Sequence, residues 1–156
     1  MNLTFLLAAR RSLSTSKRVG ALKPGGDLTI RIQSSPKPNI VQKYDWNAVF
    51  ESANGGLIPC DGFGFEKMFL APEAGYQPRI LVGAQKDSQA WSSRFNGGFY
   101  LKSRDGRCYG KIAVTVITGL VREGAVPVNL DGYINLASSR NLEIDPQKVT
   151  TIKYPR

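Results

Sequence analysis

The chain of 156 residues contains no histidine and only two cysteines, and these absences exclude several classes of function. Without an imidazole there is no Ser-His-Asp or Cys-His nucleophile and no histidine general base. A structural zinc site would need carboxylates beside Cys60 and Cys108, whereas such sites are usually built from Cys and His. We therefore predict no metal and no cofactor. No run of about 18 apolar residues is present, so the sequence predicts no transmembrane segment.

The length predicts one domain with its own hydrophobic core. A chain of this size buries roughly 70% of the surface of its unfolded state, so its stability does not require a disulfide. Two cysteines alone do not identify a redox compartment. We expect two free thiols, with Cys108 facing inward and Cys60 in a loop beside Asp61.

The net charge of +9 is concentrated at one end of the chain. Residues 1–43 contain eight Lys or Arg and one acid, whereas residues 44–156 contain 13 basic and 11 acidic residues. The remainder of the chain is therefore almost neutral, and the basic composition alone does not indicate nucleic-acid binding.

Residues 1–22 form a leader of Arg, Ser, Leu and Lys without an acid. This composition resembles an organellar, especially mitochondrial, import presequence. Secretion fits less well, because Arg10 and Arg11 follow the short apolar run instead of preceding it. The third interpretation is a basic arm without a targeting role. In each case we expect residues 1–22 to lack a fixed structure, because they offer too little apolar surface to offset chain entropy.

Residues 23–43 are rich in Pro, Gly, Ser and Lys, which is typical of a linker. The segment 28–32 interrupts them with β-branched alternation and predicts one strand or extended arm. Residues 44–156 are then expected to form a single β-rich domain.

The domain is expected to be mainly β, an antiparallel sandwich or barrel-like sheet with one short N-terminal helix. Asp45 is a candidate N-cap for a helix over 45–53, because apolar residues follow at helical spacing and Asn54-Gly55-Gly56 would end it. Beyond it, Asx-Gly dipeptides alternate with strand-like runs and predict antiparallel hairpins. The dipeptides are Asn54-Gly55, Asp61-Gly62, Asn96-Gly97, Asp105-Gly106 and Asp131-Gly132. The runs are 67–71, 79–83, 98–103, 108–121 and 126–136.

The clearest hairpin has Asp105-Gly106 as a two-residue type I′ turn. That turn pairs Ser103 with Cys108 and Phe99 with Ile112. One face then carries the apolar set that the core requires: Phe99, Leu101, Ser103, Cys108, Gly110, Ile112, Val114 and Val116.

The opposite face of the hairpin combines two tyrosines with four basic residues. Aromatic rings stack on bases and cations contact phosphates in sheet-based modules that bind single-stranded nucleic acid. The same composition also suits an ordinary solvated sheet face, in which Lys protects against aggregation. The candidate binding residues are Tyr100, Lys102, Arg104, Arg107, Tyr109 and Lys111.

Two classes of function remain after these exclusions. The leading hypothesis is a non-catalytic β-rich interaction module with a protein or polyanion partner. The alternative to this hypothesis is that the Tyr/Lys/Arg face binds single-stranded nucleic acid or another polyanion. The other class is a carboxylate-dependent enzyme, for which no acid pair is visible at close spacing. The sequence predicts no catalytic residue.

Overall fold

Two antiparallel sheets make up the computed structural model, which describes residues 2–5, 15–16, 27–35, 42–60, 70–119, 126–135 and 137–142. For residues 2–5 and 15–16 only the backbone is described. Apart from a 3₁₀ turn at Arg104–Gly106, no helix occurs within these ranges. The strands are β1 (Asn2–Phe5), β2 (Thr15–Ser16), β3 (Leu28–Ser34), β4 (Trp46–Glu51), β5 (Gly56–Cys60), β6 (Arg79–Ala84), β7 (Arg94–Ser103), β8 (Cys108–Ile117) and β9 (Val128–Asn135).

The first sheet has the strand order β1-β3-β4-β6, and the second has the order β2-β9-β8-β7-β5. All described pairings are antiparallel. Side chains alternate across each sheet, so every second residue faces the opposite sheet. In β3, for example, Leu28, Ile30 and Ile32 are buried while Arg31 is exposed.

The main core fills the space between the two sheets, which makes the domain sandwich-like, as predicted. The first sheet contributes Leu28, Ile30, Trp46 and Phe50, all of which are at most 5% exposed. From the second sheet come Leu57, Phe99, Leu101, Ile112, Val114, Val116, Val128, Leu130 and Ile134.

The predicted helix at 45–53 is wrong, because Trp46–Glu51 is strand β4. The six residues of β4 fit both the helical and the strand periodicity. Helical spacing places Trp46 and Phe50 on one side of a helix, and strand alternation places Trp46, Ala48 and Phe50 on one face of a strand. β4 pairs with β3 on one side and β6 on the other. Tertiary pairing on both sides therefore decides between two patterns that a short segment leaves unresolved.

Three of the five Asx-Gly dipeptides do not form the predicted hairpin turns. Asn96-Gly97 lies within β7 and Asp131-Gly132 lies within β9, while Asn54-Gly55 joins strands of different sheets. A side chain at Gly97 would meet the Phe95 ring, which would have to shift, so the packing of this ring favours glycine there. Asp61-Gly62 and most of the predicted run 67–71 lie outside the described residues.

The hairpin of β7 and β8 has the predicted register, with Ser103 opposite Cys108 and Phe99 opposite Ile112. The turn has positive φ at Asp105 and Gly106, and the Arg107 N–H donates to the Arg104 carbonyl at 3.2 Å. Arg104 also has a positive φ of 52°, so the ladder ends at Ser103 and Cys108 instead of extending to Arg104 and Arg107. The inward orientation of Cys108 is confirmed, since it is fully buried.

The N-terminal segment differs from the expectation of an unstructured leader at six residues. Asn2–Phe5 pairs with β3, and Thr15–Ser16 pairs with β9. β3 is an integral part of the first sheet, because it pairs with β4 over six residues and faces the core. A short uncharged run beside an unpaired sheet edge gains backbone hydrogen bonds, and the composition argument for disorder does not account for that gain.

Both thiols are free, as predicted, and they lie on opposite faces of the second sheet. Cys108 faces the main core, and Cys60 lies at the end of β5, not in the predicted loop, with its side chain on the outer face. Strand β7 lies between them, and Cys60 is level with Gly98 whereas Cys108 is level with Ser103, five residues further along, so their Cα atoms are too far apart for a disulfide. Burial raises the pKa of the Cys108 thiol, which makes it unreactive.

Asp27 joins the start of β3 to the β7–β8 turn. It is 4% exposed; its Oδ1 accepts hydrogen bonds from the Ser103 hydroxyl and the Arg104 Nε, each at 2.8 Å. The Arg104 Nη2 donates to Oδ2 at 2.7 Å, which completes a bidentate pair. The hydrogen bond to Asp27 raises the pKa of Arg104, so its guanidinium stays ionised.

We expect Asp27→Ala to lower the free energy of unfolding by about 2–3 kcal/mol. This is less than the loss of about 3–5 kcal/mol typical of a fully buried pair, because the Arg104 side chain is 36% exposed and regains water. Asp131→Ala is the control, since it removes an exposed acid from β9. Urea unfolding of wild type and of both variants measures the loss of stability. Equal stability of the two variants would contradict the role of Asp27.

Candidate functional site

The six predicted binding residues are only partly brought together on the outer face of the second sheet. Lys102 pairs with Tyr109, and Tyr100 pairs with Lys111, so these four side chains form two adjacent rows. Arg104 leaves this face to bind Asp27. Arg107 is exposed beyond the end of the ladder, and its Nε donates to the Arg104 carbonyl at 3.0 Å.

The outer face is covered, which the sequence analysis did not predict. Tyr100, Tyr109 and Lys111 are 3%, 8% and 9% exposed, respectively, so the expectation of an open aromatic and basic face is wrong for these three residues. A second, smaller apolar cluster contains Tyr100 and Tyr109 together with Ala71, Leu142, Ile58, Cys60 and Tyr76. The expectation failed because a hairpin pattern carries no information on which distant segments pack over it.

Two segments that are distant in sequence, around Ala71 and around Arg140, form this cover, and hydrogen bonds join them. The Ala71 N–H donates to the Arg140 carbonyl at 2.8 Å, and the Arg140 guanidinium donates to the Ala71 carbonyl at 3.3 Å. Tyr76 is placed by the backbone bonds between Gln77 and Leu57 of β5. The sequence does not predict that Tyr76 lies on this face, because its position depends on this non-local bridge.

The lysines of the outer face contact aromatic rings. The Lys102 Nζ lies 5.7 Å from the ring centroid of Tyr76 and 6.0 Å from that of Tyr109. The Lys111 Nζ lies 5.7 Å from the centroid of Tyr100. Cation–π attraction therefore stabilises this cluster from within, and it orients both ammonium groups towards the protein.

Tyr76 and Tyr100 have raised phenol pKa values. Burial, followed by the proximity of Tyr109, raises the pKa of Tyr76 to about 12, and its hydroxyl donates to the Pro72 carbonyl at 3.1 Å. Burial, followed by the proximity of Cys60, raises the pKa of Tyr100. The Tyr100 hydroxyl is buried, and no group of the described residues forms a hydrogen bond with it.

An open groove lies on the first sheet, at the ends of β3, β4 and β6 and the turn that follows β6. Its cavity volume is about 680 Å³. Carboxylates, amides and one ammonium group line it, and Leu81 is its most exposed apolar side chain, at 64%. The polar lining consists of Gln33, Ser34, Ser35, Asp45, Asn47, Gln85, Lys86 and Asp87.

β6 forms one wall of this groove and one edge of the first sheet. All six of its residues are exposed or half-buried, since no described strand lies beyond it. Ile80, Val82 and Ala84 pack against the main core, and Leu81 faces outward. Arg79 is followed in the strand by five consecutive uncharged residues, Ile80 to Ala84, without a proline. This stretch of the edge therefore lacks the charge or proline that usually protects such strands from pairing.

Comparisons with known proteins supply no family: no protein-family model, curated protein or solved structure matches the chain. Within the described ranges, no group of three or more Cys, Asp or Glu side chains is arranged to hold a metal ion. No helix among those residues is long and apolar enough to cross a membrane. Function is therefore inferred from the outer face of the second sheet and from the groove on the first.

We expect Tyr100→Phe to raise the free energy of unfolding by about 1 kcal/mol. A buried hydroxyl without a partner costs about 1–3 kcal/mol of desolvation, and phenylalanine keeps the ring on which Lys111 packs. Thermal or urea unfolding measures the change. Tyr76→Phe is the matched control, because it removes a hydroxyl that donates a hydrogen bond. A loss of stability in Tyr100→Phe would show that its hydroxyl has a partner.

Stability should also fall as the pH rises from 10 to 12, because the pKa of Tyr76 is raised from 10.0 to about 12. In this window the phenol ionises in the unfolded chain but not in the folded one, so ionisation favours unfolding. An ultraviolet titration of tyrosinate should show a late ionisation that Tyr76→Phe removes. If Tyr76→Phe keeps the last ionisation step of the titration, the phenol that ionises last belongs to another residue.

Proposed function

We propose that the protein is a non-catalytic interaction module that takes up an extended segment of a partner protein along the edge strand β6. The observation that carries this proposal is the uncharged edge of β6 beside an open groove. In strand addition, main-chain hydrogen bonds supply the affinity and side-chain pockets supply the specificity. Here the edge of β6 would supply the main-chain hydrogen bonds, and the groove would supply the side-chain pockets.

The edge of β5 differs from that of β6. β5 contains Pro59, which lacks a backbone N–H, and Leu57 exchanges backbone hydrogen bonds with Gln77. That edge is therefore partly occupied and partly unable to pair. In β6 the uncharged run is continuous from Ile80 to Ala84. Strand addition is consequently favoured at β6.

The groove provides contacts for the side chains of an added segment. Leu81 supplies an apolar contact at one end, while Gln33 and Asn47 form a row of amides across β3 and β4. Amides donate and accept hydrogen bonds, so they suit the backbone and polar side chains of an extended peptide. Asp45 is held in place because its Oδ1 accepts from the Lys86 N–H at 2.7 Å.

A carboxylate-dependent enzyme is the less favoured class, although Asp45 and Asp87 line the same groove. Both residues are exposed. A carboxylic acid that acts at neutral pH normally lies in a desolvated pocket, and this groove is open to solvent. Non-catalytic binding therefore fits these acids better.

The alternative of nucleic-acid or polyanion binding through the Tyr/Lys/Arg face depends on few accessible groups. Three of its six residues are buried and Arg104 is paired with Asp27, which leaves Arg107 and the half-buried Lys102. A titration with a single-stranded oligonucleotide at two salt concentrations tests it. Salt-sensitive binding that Lys102→Ala together with Arg107→Ala abolishes would favour this alternative.

The test of the proposal is selection of peptides from a randomised phage-displayed library, followed by binding measurements with the synthetic peptides. We expect Leu81→Lys to weaken binding at least tenfold, because it places a charge on the pairing edge. Leu70→Lys is the matched control: Leu70 is 55% exposed, but it lies in the isolated bridge with Asn141 and outside the first sheet.

Amide hydrogen exchange identifies the site of binding in the same experiment. Bound peptide should slow exchange in β6 because strand addition protects its outward-facing amides. Peptides that bind equally well to wild type and Leu81→Lys, or that protect only the second sheet, would contradict the proposal.

A further inference from the structure

We propose that the extended segment bound by β6 is β6 of a second copy of this chain, so that two four-stranded sheets join into one across a two-fold axis. This inference rests on the proposed use of the β6 edge. Antiparallel pairing of identical strands is isologous, since the same edge serves both copies. It requires that the edge be complementary to itself in charge and in side-chain size.

The charges along β6 meet the first requirement. At its N-terminal end Glu51 forms ion pairs with both Arg31 and Arg79, which leaves one excess positive charge. The turn after β6 and the adjoining groove carry Asp45, Lys86 and Asp87, and the Lys43 Nζ donates to the Ser88 carbonyl of the same turn, so this end is neutral overall. Antiparallel pairing places the N-terminal end of one strand against the C-terminal end of the other, so the single excess positive charge meets a neutral end and no excess of like charge is brought together.

The side-chain sizes meet the second requirement when the two strands pair about Val82. In that register the uncharged runs from Ile80 to Ala84 overlap completely. Leu81 lies opposite Gly83 of the second copy, and Ile80 lies opposite its Ala84, so each large side chain meets a small one. Cross-strand neighbours of this kind bury apolar surface without crowding.

The same register covers apolar surface that one copy leaves exposed. Ile80 and Val82 face the core but are only partly buried, because no described strand lies on the outer side of β6. Val82 would contact Val82 of the second copy and make the two cores continuous at the two-fold axis. The outward-facing Leu81, which is 64% exposed, would be covered from one side.

Sedimentation equilibrium from micromolar to millimolar concentration tests the dimer. We expect wild type and Leu70→Lys to dimerise with the same affinity, and Leu81→Lys to dissociate at least tenfold more readily. Circular dichroism and unfolding confirm that Leu81→Lys is folded, which its exposed side chain permits. A dimer that is unaffected by Leu81→Lys would overturn the proposal, because its interface would lie elsewhere.

Disulfide trapping tests the register in a Cys60→Ser background. Val82 is the only strand residue that faces itself, so Val82→Cys should form an intermolecular disulfide under air. Ala84→Cys is the control, because it faces Ile80 of the second copy. Cross-linking at Ala84→Cys that equals or exceeds that at Val82→Cys would overturn the register.

The two proposals fail in different ways. A wild type that stays monomeric but binds library peptides at β6 overturns self-pairing and leaves the proposed function intact. A wild type that stays monomeric and binds no peptide overturns both. If the dimer forms, library peptides that bind β6 should compete with it, since both use the same backbone groups.

Discussion

The buried carboxylate of Asp27 is the constraint on which one end of the sandwich depends. Asp27 directly precedes β3 of the first sheet and binds Ser103 at the end of β7 and Arg104 in the adjoining turn, so it ties the two sheets together at this end. Arg104, which makes this contact, has a positive φ, and its backbone turns out of the ladder there. Two further bonds support this end: Ser52 Oγ donates to the Lys102 carbonyl, and the Asp105 N–H donates to the Asn54 carbonyl.

The other end of the sandwich is held by aromatic side chains that donate hydrogen bonds. Tyr44 and Thr118 share a buried hydroxyl hydrogen bond of 2.8 Å. The indole N–H groups of Trp46 and Trp91 donate to the carbonyls of Ser92 and Tyr44, respectively, each at 2.8 Å. With the sheets fixed at both ends, the core between them needs only apolar side chains at alternating positions. Strand β6 takes no part in either set of contacts.

The features that the sequence predicted correctly are those set by local pattern. The register of β7 and β8 follows from Asp105-Gly106 and the alternation on either side of it, and this also places Cys108 in the core. The features that it missed depend on distant partners. Trp46–Glu51 becomes a strand because β3 and β6 flank it, and Tyr100 is buried because Ala71 and Leu142 cover it. The exposed position of β6 follows from strand order, which no local pattern contains.

Strand order also determines how the basic N-terminal segment affects pairing between copies. β1 and β2 lie at the edges of the two sheets that are farthest from β6 and β5. In a sheet joined through β6, β1 of one copy is seven strand spacings from β1 of the other, about 34 Å at about 4.8 Å per strand. Electrostatic screening acts over about 8 Å at physiological salt, so charges on the two β1 edges would not interact at that distance. The two basic residues of 1–43 that the structure describes, Arg31 and Lys43, lie nearer to β6: Arg31 is paired with Glu51, and the Lys43 Nζ donates to the Ser88 carbonyl in the turn that carries Asp87. An acid lies near each of them, which limits the repulsion that they add to self-pairing at β6.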